Sequence, residues 1–277
     1  MRPVAFASAV AFLIFSAAIA KAQEAQPASP ISTSAASYSQ AYCTGFVDEN
    51  VPDNLTISGG ADNDIHSAVR QFVQGESIFI SERNNGEIAV GAEYSVVRPA
   101  KALFETTRYQ GEGWDMAKLG KPYEDVAQVK VTHVTPAGVV ARVTFSCEAA
   151  VPGDILVPFQ PRPVPEYNVT APLDHFSPLD QGKTHGRIAA SRNNFGFFGA
   201  GTVVYLNLGN QSGVQPGKRF RIYQVLAPEN FGTFSSKRTP PEVVGEAVVL
   251  SVQSKSSVAM VVSSYREISS GDLVEAE

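Results

Sequence analysis

Short apolar runs with alternating polar positions recur along this 277-residue chain, and two stretches share nearly the same cadence. One reads GESIFISERNNGEIAVGAEYSVV from Gly75 to Val97, and the other reads GTVVYLNLGNQSGVQPGKRFRIY from Gly201 to Tyr223. β-Branched and aromatic residues dominate the runs, and glycine and asparagine punctuate them, as is typical of short strands joined by turns. The pattern therefore predicts two related β modules.

The two stretches align at an offset of 126 residues, and the match resumes further along the chain at an offset of 118. The first offset relates Gly75 to Gly201, Ile78 to Val204, Phe79 to Tyr205, Ile80 to Leu206, Asn84 to Asn210, Ile88 to Val214, Gly91 to Gly217, Tyr94 to Phe220 and Val96 to Ile222. The second relates Glu124 to Glu242, Val126 to Val244, Val131 to Val249, Val134 to Val252, Val140 to Val258, Ala141 to Ala259, Val143 to Val261, Ser146 to Ser264, Gly153 to Gly271 and Asp154 to Asp272. Self-similarity at a fixed register indicates duplication of one module.

Each copy contains five or six short strands and no sustained helical period, which favours a small barrel or sandwich. We therefore predict a mainly β protein with two homologous small β-barrel-like modules, at residues 43–159 and 184–277, joined by a Pro-rich spacer. The spacer, residues 160–183, is predicted to be extended and semi-rigid, because proline fixes φ and removes a donor. One short helix is predicted at residues 63–73, behind an N-cap at Asn63.

The chain begins with an apolar run from Val4 to Ala20, after a positive charge at Arg2 and before a small-x-small site ending at Ala22. This pattern is typical of a secretory signal peptide, residues 1–22. The alternative is a retained membrane anchor, although about 20 apolar residues are needed to span a bilayer and this run is shorter. The Ser, Ala and Pro tract at residues 23–42 is predicted to be disordered. We expect an exported, soluble mature chain with no transmembrane segment.

The charge balance argues against two classes of partner. The chain carries 22 basic and 27 acidic residues, and loss of Arg2 and Lys21 with the signal peptide leaves 20 minus 27, or −7. Nucleic acids and anionic membrane surfaces both recruit basic patches. We therefore expect neither of them to be the main partner.

The chain has only two cysteines, Cys43 and Cys147, and both lie in the part predicted to be exported. In an oxidising compartment an even pair is most simply interpreted as one disulfide. Such a bond closes a long loop and, in the chain-entropy model, stabilises the fold by about 4 to 5 kcal/mol. The alternative is a pair of unbonded, buried thiols.

The second copy, with GTVVYLNLG, GVQPGKRFRIY and VVGEAVVLSVQSKSSVAMVVSSYREISSGDLV, resembles the C-terminal β-domain of the flagellar assembly protein T family and the related tails of LysM-containing bacterial envelope proteins. With CTGF near the start and FSCEAAVPGDILVPFQPRPVP at mid-chain, the whole chain also resembles uncharacterised secreted bacterial proteins that carry this module twice. The resemblance covers most of residues 186–277 and, more loosely, the first copy. It implies an exported β-barrel module associated with envelope assemblies, and it carries over no catalytic residues and no peptidoglycan-binding segment.

The sequence contains no complete motif of a catalytic, nucleotide-binding or metal-binding site. Gly182, Lys183 and Thr184 resemble the end of a phosphate-binding loop, but Ser177 stands where its first glycine is needed. No G-x-S-x-G sequence occurs. Four histidines occur without ligand spacing between them: His66, His133, His175 and His185. We therefore expect no enzymatic activity, no cofactor and no bound metal.

The Gly-Asp pair recurs in both copies, as Gly153-Asp154 and Gly271-Asp272. Neither aspartate has a base or a nucleophile within its motif, so we predict that both bond the local backbone in a turn before the last strand. The alternative is a catalytic carboxylate in each copy.

Two loops concentrate aromatic side chains. The long loop of the first copy, FETTRYQGEGWDMAKLGKPY, holds the only tryptophan, and RNNFGFFGAG in the second copy holds three phenylalanines. Aromatic rings beside cations are typical of contact surfaces for a glycan or a protein. The alternative is that the rings fold back to cover the ends of the barrels. The candidate contact residues are Arg108, Tyr109, Trp114, Phe195, Phe197 and Phe198.

Together these features favour an exported, non-enzymatic binding or scaffolding protein of the bacterial cell envelope, with an envelope protein or a glycan as partner. Two alternatives remain open at this point. One is a structural protein that self-associates through sheet edges, and the other is a hydrolase acting on envelope polymers. The sequence specifies neither the oligomeric state nor the compartment, whether periplasmic, outer-membrane-associated or extracellular.

Overall fold

The computed structural model describes residues 32–34, 37–60, 71–82, 88–100, 107–164, 166–168, 174–225 and 240–277. The signal peptide and nearly all of the predicted helix at residues 63–73 lie outside the described residues. Phe72, at the end of that segment, forms an isolated β bridge with Ala150. Of the helices in the described ranges, none has the length and apolar character needed to cross a bilayer.

The described residues are mainly strand, which confirms the predicted fold class. The strands are β1 Ser32–Ser34, β2 Phe46–Asp48, β3 Leu55–Gly60, β4 Ser77–Glu82, β5 Glu93–Pro99, β6 Lys121–Thr135, β7 Gly138–Ser146, β8 Ile155–Pro158, β9 Glu166–Asn168, β10 His185–Ser191, β11 Phe197–Phe198, β12 Val203–Leu206, β13 Arg219–Gln224, β14 Glu242–Val252, β15 Ser257–Ser264, β16 Ile268–Ser269 and β17 Leu273–Ala276. The helices are α1 Tyr38–Tyr42, α2 Glu112–Leu119 and a 3₁₀ turn at Asn210–Ser212.

Each module closes into a six-stranded antiparallel ring. The first ring runs β6, β5, β8, β3, β4, β7 and back to β6. Strand β2 lies outside this ring and pairs with the first residues of β6. The second runs β14, β13, β17, β10, β12, β15 and back to β14. The two rings therefore have the same strand order, as expected if one module was duplicated.

The strand registers agree with the alignment made from sequence. Equivalent facing pairs in the first and second rings are Ile78–Ala141 and Val204–Ala259, Tyr94–Val129 and Phe220–Ala247, and Tyr94–Pro158 and Phe220–Ala276. A register shift also recurs at the same place, between Val96 and Val97 in β5 and between Ile222 and Tyr223 in β13. The two offsets of 126 and 118 therefore describe equivalent positions in space.

One strand of each ring was not part of the sequence alignment. Strand β3 pairs with β4 and β8, and β10 pairs with β12 and β17, so these strands close the two rings. Their sequences, LTISGG and HGRIAAS, share no obvious pattern. Their equivalence is visible in the pairing, since Ile57 faces Ile80 as Ile188 faces Leu206.

Helix α1 lies at the end of the tract that the composition predicts to be disordered. Ser37 caps it, because its hydroxyl accepts from the Gln40 backbone N–H while the Gln40 side chain accepts from the Ser37 N–H. Tyr42 then stacks on Phe159 at a ring-centroid distance of 5.7 Å. This local capping and long-range packing order residues 37–42, which composition alone does not reveal.

The segment of residues 41–49 lies between the two barrels and contacts both. A disulfide joins Cys43 to Cys147 at the end of β7, as the cysteine count predicts. From the second barrel, the Tyr205 hydroxyl donates to the Thr44 carbonyl at 2.8 Å, and the Ser256 hydroxyl donates to the Val47 carbonyl. One core cluster accordingly contains residues from both barrels: Phe46, Val47, Val97, Tyr123, Ala189, Tyr205, Leu250, Val258 and Met260 among them.

Arg162, in the segment that follows the first barrel, anchors the same region. Its guanidinium donates to both oxygens of Asp125, at 2.6 and 2.8 Å, while the Gly45 N–H donates to Asp125 at 2.9 Å. Gly45 has φ +67°, and a β-carbon there would lie 2.5 Å from the Tyr123 carbonyl oxygen. Only glycine therefore allows the segment to approach the carboxylate this closely.

The recurring aspartates bond the turns that precede β8 and β17, in agreement with the turn interpretation. Asp154 accepts from the Val151 N–H at 2.8 Å, and Asp272 accepts from the Ser269 N–H at 2.8 Å. Their other partners differ. Asp154 receives two bonds of 2.7 Å from Arg98, whereas Asp272 receives one of 2.9 Å from the amide of Gln224, the residue equivalent to Arg98.

This difference predicts unequal effects of the same substitution. We expect Asp154→Asn to lower the free energy of unfolding by about 2 to 3 kcal/mol, because it removes a charge-assisted pair with Arg98. We expect Asp272→Asn to change it by less than about 1 kcal/mol, because the amide oxygen still accepts from Ser269. Urea denaturation of the two variants at neutral pH measures both values, and equal losses would contradict the assignment.

The pH dependence of the free energy of unfolding gives a second test of the role of Asp272. Burial raises the pKa of Asp272, so its ionised form disfavours folding and the wild-type protein gains stability as pH falls through that raised pKa. Any gain in stability of Asp272→Asn over the wild type should therefore be greatest at neutral pH and disappear in acid.

Candidate interaction surface

Two segments that lie far apart in the sequence meet on the surface of the second barrel. Arg108, just before helix α2, donates from Nη2 to the Asn194 carbonyl at 2.6 Å and from Nε to the Asn194 side chain at 3.3 Å. Tyr109 packs so closely on Gly271 that a β-carbon there would lie 2.8 Å from the Tyr109 Cγ. The two aromatic loops proposed separately from sequence are thus brought together.

Tyr109 supports this contact and is itself half-buried. Its hydroxyl donates to the Asp115 carboxylate at 2.9 Å. Burial raises the pKa of Tyr109, and the bond to Asp115 raises it further, so the phenol stays neutral at physiological pH. The residue therefore holds α2 against the second barrel.

Helix α2 directs its tryptophan outward. The helix buries Glu112, Met116 and Leu119, whereas Trp114 on the opposite side is 77% exposed. Each residue of an α-helix is rotated by about 100° from the one before it, so residues two apart face nearly opposite sides. Trp114 therefore faces away from the side that is buried. Trp114 therefore does not cover the end of its barrel, which was the alternative interpretation of its loop.

The phenylalanine loop divides into exposed and buried rings. Phe195 and Phe197 are 52% and 69% exposed, whereas Phe198 is 8% exposed and packs in the core of the second barrel. Phe198, also a candidate contact residue, is largely buried, because consecutive residues of β11 face opposite sides, so one ring is exposed and the next is buried. Phe198 therefore anchors the loop to the core of the second barrel.

Two shallow grooves border the Phe197 ring. One, of about 480 Å³, is lined by Phe197, Gln224, Arg266, Glu267 and Ser269. The other, of about 360 Å³, is lined by Phe197, Phe198, Gly199, Ser264, Tyr265, Arg266 and Glu267. We call these two grooves and the ring that borders both of them the Phe197 surface.

The polar residues of the Phe197 surface are held in place by the second barrel. Gln224 donates from its amide nitrogen to the Glu267 carbonyl at 2.7 Å, and Arg266 pairs through Nε with Glu242 at 3.2 Å. Tyr265 meets the His175 ring edge-on, with centroids 4.6 Å apart. The groove walls are therefore ordered rather than free side chains.

Sequence reasoning missed Gln224 and the Tyr265–Glu267 turn. In the sequence, SSYREISS, which runs from the end of β15 through β16, looks like an ordinary polar connection, and Gln224 looks like the end of a strand. A tyrosine beside two charges in a turn was the one available signal. Their association with Phe197 depends on the pairing of β11 with β16, which places Phe197 opposite Ser269.

A second cavity, of about 280 Å³, lies between the two barrels. Its walls are mostly apolar and rich in proline, with Phe46, Val97, Val157, Leu250 and Arg162 among the lining residues. The charge of Arg162 is already neutralised by Asp125, and the other polar residues of the lining are Asp48, Ser95, Gln160, Ser251 and Gln253. The exposed rings and polar walls of the Phe197 surface make it the better candidate site.

In the described part of the chain, no group of three or more His, Cys, Asp or Glu side chains lies close enough together to hold a metal ion.

No protein-family model matches this chain, and no curated protein matches it significantly. Its function is therefore inferred from the geometry of the Phe197 surface.

Proposed function

We propose that this protein is an exported, non-enzymatic binding or scaffolding protein of the bacterial cell envelope, and that the Phe197 surface is where it binds. The observation that carries the proposal is the 69% exposure of Phe197 beside two grooves of the second barrel. Phe195 in the same loop is 52% exposed, and exposed apolar patches rimmed by polar residues mark interaction sites.

Two further features support export and binding. A disulfide is compatible with an oxidising compartment, and the leader has the pattern of a secretory signal peptide. The likeness of the second copy to modules of bacterial envelope assemblies agrees with that location. We place the protein in the envelope or outside the cell on these grounds.

Closed rings disfavour the alternative of self-association through sheet edges. Every strand of each six-membered ring pairs on both sides, so the rings present no open edge. Among the described strands of the first module, β2 lies outside the ring, and its Val47 carbonyl is taken by Ser256. We therefore favour binding of a different molecule over polymerisation by strand pairing.

A retention experiment tests the proposal. The chain from Gln23 onward is immobilised and exposed separately to detergent-solubilised envelope proteins, membranes and sacculi. We expect one partner to be retained, and we expect Phe197→Ala to lose it because the exposed ring is removed. Trp114→Ala reports whether the exposed tryptophan of α2 belongs to the same surface.

The matched control is Val134→Ala, which removes an exposed apolar side chain from β6 of the first barrel. It should retain the partner as well as the wild type does. Failure of the wild type to retain anything from all three fractions would overturn the proposal, as would equal retention by Phe197→Ala.

A further inference from the structure

The Phe197 surface combines one exposed aromatic ring with planar polar side chains. Beside the ring, the described residues that line the larger groove are Gln224, Arg266, Glu267 and Ser269. A protein hot spot usually sits in a well-packed apolar pocket from which water is excluded, whereas these described walls are polar. A flat ring with amide, guanidinium and carboxylate groups at its rim suits a ligand with an apolar face and a hydroxylated edge.

We infer that the Phe197 surface binds a linear, uncharged oligosaccharide, which rests on the binding function proposed above and specifies its ligand. A pyranose ring carries C–H groups on its faces and hydroxyls around its edge. The C–H face packs on the Phe197 ring, while the hydroxyls exchange hydrogen bonds with Glu267, Arg266 and ordered water.

The arrangement of the two grooves indicates a chain of sugars. Both grooves share Phe197, Arg266 and Glu267, and each is also lined by residues that the other lacks. The second groove adds Tyr265, whose ring is held edge-on by His175. A sugar stacked on Phe197 therefore has groove space next to it for linked residues, as a linear oligosaccharide requires.

The charges of the surface favour an uncharged ligand. Among the described residues that line the grooves, the charged side chains are one cation, Arg266, and one anion, Glu267. The whole chain has a formal net charge of −5. Strongly anionic polymers and anionic lipid surfaces would be repelled at long range, and the described groove residues form no cationic cluster.

The binding groups are fixed before the ligand arrives. Phe198 is buried in the core of the second barrel, the pairing of β11 with β16 fixes the backbone, and Arg108 holds Asn194 at the start of the loop. Gln224 also ties the Glu267 carbonyl to Asp272. Little conformational entropy is therefore lost on binding, which helps a shallow site to retain a polar ligand.

Saturation-transfer and ¹H–¹⁵N NMR titrations with chitotetraose, cellotetraose and maltotetraose test the inference. We expect at least one of these to bind with ring-current shifts of its C–H protons. Phe197→Leu should weaken binding roughly tenfold or more, because leucine keeps the apolar area but has no flat face. Phe197→Trp should stay within roughly threefold of the wild type.

Phe79→Leu is the matched control, because it makes the same change at an exposed ring on β4 of the first barrel. It should bind like the wild type, and the ¹⁵N spectra of all variants report whether each is folded. Equal binding by Phe197→Leu would overturn the inference, since apolar area alone would then suffice.

The outcome is separable from that of the proposed function. If no oligosaccharide binds but the retention experiment captures an envelope protein that Phe197→Ala loses, the glycan inference is wrong and the binding function stands. If neither experiment detects a ligand, both are wrong.

Discussion

Replacing Cys43 and Cys147 together with serine should lower the free energy of unfolding by about 4 to 5 kcal/mol. The disulfide closes a loop with a sequence separation of 104, so its loss restores a large conformational freedom to the unfolded chain. The same bond attaches the segment of residues 41–49 to the first barrel, and that segment contacts the second barrel through Thr44 and Val47. We therefore expect the loss to affect both barrels.

Urea denaturation under oxidising conditions measures this effect. The wild-type protein incubated with a thiol reductant serves as the control and should reproduce the loss without any substitution. Limited proteolysis of the double variant should also cut between the barrels sooner. A decrease of less than about 1 kcal/mol would show that the segment is held by its other contacts and that the chain-entropy argument does not apply.

Replacing Asp125 with alanine should cost about 3 to 5 kcal/mol, because it leaves the Arg162 guanidinium buried without its counter-charge. The side chains of Asp125 and Arg162 are only 6% and 15% exposed. Burial by itself lowers the pKa of Arg162, but the charge and hydrogen bonds of Asp125 raise it overall, so the pair is ionic. The substitution also removes the acceptor of the Gly45 N–H.

Comparison with the second barrel suggests a double substitution that should restore the lost stability. Its residue equivalent to Asp125 is Val243, which is fully buried, so an apolar side chain fits this position of the ring. The double variant Asp125→Val with Arg162→Leu should therefore recover most of the lost stability, since a buried ion pair and a well-packed apolar pair have similar net free energies.

Lys130 and Glu93 provide the control for a solvent-exposed pair. Their side chains are both 50% exposed, and Lys130→Ala should cost less than about 1 kcal/mol. Chemical denaturation of the four proteins tests the set. A loss for Asp125→Ala no larger than that for Lys130→Ala would contradict the role assigned to the buried pair.

The duplication and the strand content were predictable because they depend on local pattern. Alternation with a period of two marks a strand with one buried side, and a repeated pattern marks a repeated module. The registers of β4 with β7 and of β5 with β6 follow the same offsets that the sequence provides. The first strand of each ring was missed because LTISGG and HGRIAAS share no pattern, although they occupy equivalent places.

The candidate site was predictable only in its parts. Both aromatic loops were identified from composition, yet nothing local indicated that Arg108 would bond Asn194, 86 positions away. Phe197 and Phe198 were both candidate contact residues, and the composition of their loop did not indicate which ring would be buried. The groove residues Tyr265, Arg266 and Glu267 gave almost no signal.

The sequence by itself determined that this protein repeats one β module, that its two cysteines are available to pair, and that aromatic side chains are concentrated in two of its loops. The tertiary structure alone decided which strands close the rings, which phenylalanine faces solvent and which polar side chains surround it. The physical reason is range: side-chain alternation and turn preferences act between neighbours in the chain. Ring closure and the Phe197 surface depend on packing summed over residues that are distant in sequence.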